Sequence, residues 1–86
     1  MAKVLIFNII FRPEPEGGFT VIVPSLPGCI TYGKDLKEAK KMAEEAILLY
    51  LQDLKEHKEE IPMTDEGLLG QIEVKLPWLK KGLIYG

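Results

Sequence analysis

This chain has one cysteine and one histidine among its 86 residues, and the shortage of both excludes several kinds of chemistry. Cys29 has no partner for an intrachain disulfide, and a Cys-based zinc site is excluded with it. A solitary cysteine reads as a small apolar residue in a reducing compartment. His57 stands among Lys55, Glu56 and Lys58 near the end of a helical segment. A cation suits that end of the helix dipole, so a solvated cap is a simpler role for it than catalysis. A Cys29–His57 nucleophile pair would have to be assembled across the fold, and Cys29 has no basic neighbour or helix N-terminus to lower its thiol pKa. Gly17-Gly18 and Gly67-Leu68-Leu69-Gly70 lack the spacing and the lysine of a phosphate-binding loop. At this level the chain offers no catalytic residue, no metal site and no cofactor site.

Net charge is also small. Eleven basic against thirteen acidic residues leave a net charge of −2, which argues against non-specific nucleic-acid binding and suits a basic protein partner. Lys80-Lys81 beside Trp78 are two cations in an acidic chain, a poor nucleic-acid site. Long apolar runs are missing too. The stretch Val4–Phe11 stops at Arg12-Pro13 with no small-residue cleavage site and is far too short to span a bilayer, so no membrane role and a cytoplasmic setting are expected.

What is present is a small globular domain. An apolar fraction of 47% argues against disorder. A chain of this length buries roughly 60–65% of its unfolded surface and has no room for a second core, so self-assembly would help its stability.

Residues 3–11 are rich in β-branched and aromatic types and read as a strand. Leu5, Phe7, Ile9 and Phe11 form one apolar face and Val4, Ile6 and Ile10 the other, a pattern expected of a central strand covered on both sides. Arg12–Gly18 reads as a hairpin loop. A second strand is expected over 18–24, with Phe19, Val21 and Val23 on one face. A Pro24–Gly28 corner follows, then a third strand over 29–33. Asp35 with Glu38 three residues on predicts a capped helix start, and the helix should run from about 36 to 57. Leu36, Ala39, Ala43, Ala46, Ile47, Tyr50 and Leu54 recur at helical spacing. The stripe widens at Ile47–Leu51, so either the C-terminal tail or another subunit is expected to cover it. Gln71–Leu76 alternates strictly, the pattern of a half-exposed strand. The expected architecture is α+β in the order β-β-β-α-β, a three-to-four-stranded sheet with one long helix on one face. Residues 1–76 form the domain and 77–86 a short apolar tail.

Glu16-Gly17-Gly18-Phe19-Thr20-Val21, followed by Pro24-Ser25-Leu26-Pro27-Gly28-Cys29, resembles the signature of the HicB-like antitoxin family. An acidic-Gly-Gly-aromatic hairpin there leads into a Pro-x-Leu-Pro-Gly-Cys corner. Thr31-Tyr32-Gly33, the helix opening at Asp35–Ala39, Ala43–Ala46 and Ile61-Pro62 continue the likeness, which covers about residues 3–76. The resemblance implies a fold similar to a truncated RNase H domain and assembly into a homodimer or homotetramer. It also implies binding of a small basic HicA-like toxin, an mRNA-cleaving protein whose RNA-binding and catalytic surface the antitoxin covers. Many members carry a C-terminal DNA-binding motif. Only ten residues follow Leu76, so no autonomous DNA binding is expected.

Two other readings stand beside this one: an orphan self-assembling structural domain, and a degenerate RNase H-like nuclease. The nuclease reading needs carboxylates converging on divalent metal, and the first strand offers only Asn8 as an interior polar residue. For partner contacts the expected residues are Pro24, Leu26 and Pro27 in the corner, and Trp78, Leu83 and Tyr85 in the tail, where aromatics suit an interface anchor. The corner can equally be turn geometry alone, and the tail can equally be intramolecular cover for Leu48 and Leu51.

Overall fold

A computed structural model describes residues 4–62 and 67–78. Three short strands, β1 (Ile10–Pro13), β2 (Phe19–Ile22) and β3 (Ile30–Gly33), precede one helix, α1 (Leu36–Glu56). The strands form an antiparallel sheet in the order β1-β2-β3, and α1 packs across β3 and β2. This is the expected α+β arrangement of a sheet with a single helix on one face.

The first strand departs from its expectation in two ways. Its ladder begins only at Ile10 and it lies at an edge; β2 is the central strand. The hairpin supplies the reason. Glu14 N–H bonds the Gly18 carbonyl and Gly17 N–H bonds the Glu14 carbonyl, each at 3.0 Å. This tight closure sets Pro13 opposite Phe19 and Ile10 opposite Ile22. Pro24 then ends the β2 side, because it has no N–H to donate, so the β1–β2 ladder has no room for residues 4–9. Nor is the run covered on both sides: Leu5, Phe7 and Ile9 are half-buried, whereas Val4 is 80% exposed.

The alternating segment 71–76 also differs from its reading. It belongs to no strand, and Ile72 is 87% exposed. Alternation encodes which face would be buried, but a strand also needs a neighbouring ladder, and no pairing joins this segment to the sheet among the described residues.

Two clusters make the core. Val21 packs with Ala39 and Ala43, flanked by Ile9, Phe11 and Phe19. Phe11 and Phe19 meet edge to face at 6.4 Å. Val23, Leu26 and Cys29 form the second cluster, covered by Phe7, Ala46, Ile47, Tyr50 and Leu51. The alanines on the buried helix face let α1 approach the sheet closely. Gly33 completes that fit, since a Cβ there would overlap the backbone of Ala39.

The helix start follows its sequence signals. Asp35 Oδ1 accepts from Glu38 N–H at 2.8 Å, and the Glu38 carboxylate accepts from the Lys34 N–H at 3.0 Å. Two backbone donors at the N-terminus are thereby satisfied. At the other end, Glu59 N–H reaches the Leu54 carbonyl and Lys58 N–H the Lys55 carbonyl, with Lys58 at φ 55°. A lysine thus holds the left-handed position that glycine usually takes after a helix.

Candidate partner-binding surfaces

The Pro24–Cys29 corner is a plugged turn. Leu26 N–H bonds the Val23 carbonyl at 3.0 Å, Cys29 N–H bonds the Leu26 carbonyl at 2.9 Å, and Val23 N–H bonds the Cys29 carbonyl at 3.1 Å. Gly28 sits at φ +82° with open space where a Cβ would project; the turn requires its backbone freedom rather than its size. These bonds turn the Leu26 side chain inward, and it is fully buried. Leu26 is therefore a core residue here, while Pro24 and Pro27 remain on the surface. Tyr50 Oη donates to the Pro27 carbonyl at 2.9 Å, tying the corner to α1.

Cys29 is buried in the second cluster, and desolvation raises its thiol pKa. Burial that disfavours the thiolate makes the group unreactive, in keeping with a packing role.

Between residues 5–9 and α1 lies an open groove of about 470 Å³. Leu5, Phe7 and Ile9 line one side, Ile47, Leu48 and Leu51 of α1 the other, and Lys40 and Glu44 of α1 are the charged residues of the lining. The groove exists because α1 lies over β3 and β2 and leaves the β1 side uncovered. The sequence pattern places Leu5, Phe7 and Ile9 on one face of a covered central strand, and nothing in it marks a groove. The apolar excess at Leu48 and Leu51 is partly explained: Leu51 packs on the second cluster and Leu48 stays exposed.

Of the tail residues, Trp78 is 75% exposed; Leu83 and Tyr85 lie outside the described residues. Trp78 is not brought together with the corner into one described patch. His57 is solvent-exposed beyond the last turn of α1, where Nδ1 is 2.8 Å from the Asp53 carbonyl. That bond and the Asp53 charge raise its pKa.

No group of three or more His, Cys, Asp or Glu able to hold a metal occurs among the described residues. None of their helices is long and apolar enough to cross a membrane. Plugged corner, open groove and exposed apolar positions together characterise a small α+β module.

The family to which this module belongs is shown by comparison. Residues 7–75 match the HicB-like antitoxin of bacterial toxin–antitoxin systems, and the chain belongs to that family. It is 45% identical over 56 residues to a UPF0150 protein of Thermoplasma acidophilum, covering 65% of this chain and 81% of that one. It is 31% identical over 70 residues to a UPF0150 protein of Helicobacter pylori, covering 81% and 96% of the two chains. It is also 32% identical over 71 residues to Antitoxin HicB 1 of Photorhabdus laumondii, 83% of this chain but 44% of that protein.

Proposed function

We propose that this chain neutralises a small basic HicA-type mRNA-cleaving toxin by protein–protein contact, without catalysis of its own. The family match over residues 7–75 carries this reading. The groove between residues 5–9 and α1 supports it, because its largely apolar lining suits an apolar anchor of a partner. Pro24, Pro27 and Trp78 are proposed as further contacts, with Leu83 and Tyr85 extending the tail's share. The same reading carries the cytoplasm as working compartment, a truncated RNase H-like core, and assembly into a homodimer or homotetramer.

The test is co-purification of the full chain with a small HicA-like protein encoded beside it. A stable complex that suppresses the partner's RNA cleavage is the expected result; no binding at micromolar concentrations overturns the reading for that partner. The exposed apolar surfaces favour a second reading, an orphan domain that only self-assembles. That reading expects oligomers in solution and no toxin capture.

A further inference from the structure

Acidic and basic side chains of α1 are segregated around its axis. At about 100° per residue, Glu38, Met42, Glu45, Asp53 and Glu56 fall within about 40° of Leu49 and form one stripe. Lys37, Lys40, Lys41 and Lys55 all lie about 80° or more from Leu49, so the stripe holds no lysine. Leu49 is 68% exposed and Met42 36%, and Glu45, Asp53 and Glu56 beside them are exposed as well. Neither core cluster includes a residue of this stripe. Two of its carboxylates are engaged: Glu38 caps the helix and lies 3.9 Å from the Lys34 ammonium, and Asp53 lies 3.3 Å from His57 Nδ1. Glu45 and Glu56 make no ion pair among the described residues. The groove on the opposite flank of α1 differs, because Lys40 and Glu44 line it together.

We infer that this stripe docks a basic partner protein, with an apolar side chain of the partner against Leu49 and Met42 and its lysines or arginines at Glu45 and Glu56. The inference rests on the toxin reading of the proposed function and names the face of α1 that meets the toxin. Charge selects the occupant. A second copy of the chain would set the same carboxylates against each other, since an isologous contact repeats one patch on both sides, and like charges across an interface repel. Nucleic acid is repelled by the same carboxylates. A neutral protein surface would strip water from Glu45 and Glu56 and give them no partner in return. A basic surface alone gains from both parts of the stripe. The apolar pair supplies contact that excludes water, and the carboxylates steer the encounter and set the register.

Surface plasmon resonance of the full chain against the small HicA-like protein encoded beside it, at low and at physiological salt, provides the test. Glu45→Lys combined with Glu56→Lys is expected to weaken binding about tenfold or more, mainly through slower association, with the greater loss at low salt. Leu49→Ser is expected to weaken it about tenfold through faster dissociation. Glu45→Gln combined with Glu56→Gln, a milder change, is expected to move affinity in the same direction and decides the matter if the reversed pair does not fold by circular dichroism. Lys37→Glu combined with Lys55→Glu, on the other side of α1, is expected to cause no loss of affinity. Unaltered binding by the folded stripe variants overturns the inference and leaves the toxin reading standing, as does a loss in the lysine control equal to theirs. No binding by the wild type overturns the toxin reading for that partner, and the inference with it.

Discussion

Tyr50 Oη donates a 2.9 Å hydrogen bond to the Pro27 carbonyl, 23 residues away in the chain. This bond joins the C-terminal half of α1 to the corner between β2 and β3. It fixes the corner against the helix while Leu26, one residue earlier, anchors the same turn from inside. Tyr50→Phe keeps the ring and loses the bond, so the expected cost is about 1 kcal/mol. Urea unfolding should show a lower midpoint with an unchanged m value.

Leu26→Ala empties the inside of the corner. Truncating a fully buried leucine costs about 2–5 kcal/mol, a large share of the stability of a domain this small. The expected outcome is a chain largely unfolded at 37 °C by circular dichroism, with Pro24→Ala, on the surface of the same corner, close to wild type.

Gly33 and Gly28 are glycines for different reasons, and alanine separates them. At Gly33 a Cβ overlaps the Ala39 backbone, so Gly33→Ala must push α1 off the sheet, and loss of cooperative thermal unfolding is expected. At Gly28 there is room, and only the positive φ is strained; Gly28→Ala should cost about 1–2 kcal/mol and keep a cooperative transition.

Lys58 carries a left-handed backbone at φ 55° just beyond the helix. Lys58→Gly relieves a strain of about 1 kcal/mol while keeping both closing hydrogen bonds. A higher melting temperature is the expected result, and an unchanged or lower one counts against that capping geometry.

His57 has a raised pKa in the folded chain, first through its hydrogen bond to the Asp53 carbonyl and then through the Asp53 charge. A folded-state pKa above the unfolded value means that protonated His57 stabilises the fold. The contribution is fully present below the unfolded pKa, about 6.5, and is lost as pH rises through the folded value. Urea midpoints measured on either side of that window should differ for the wild type, and His57→Gln should remove that part of the difference. Full exposure keeps the effect small.

Residues whose role is local were legible in advance. Asp35 and Glu38 form the expected helix start, Ala39 and Ala43 lie at the buried positions that 3.6-residue periodicity assigns, and the Pro24–Gly28 corner turns where its prolines and glycine require. The groove was less legible, because its walls come from segments about 40 residues apart in the chain, and periodicity reports only that each segment has an apolar face. Leu26 shows the same limit at a single residue. Its position in the corner suggested a contact surface, and the turn's hydrogen bonds direct it inward.

Alternation along residues 4–11 and 71–76 marks which side chains share a face, and capping and breaker residues mark where elements begin and end; both act within one turn or one strand and are therefore written in the chain itself. Whether a strand is central or at an edge, and which apolar face is covered, depends on partners elsewhere. Here hairpin closure at Glu14–Gly18 limited β1 to four paired residues, and the seating of α1 over β2 and β3 left Ile10 and Ile30 exposed. Those outcomes were decided by tertiary structure, because hydrogen-bond ladders and burial are properties of pairs of segments and not of either one alone.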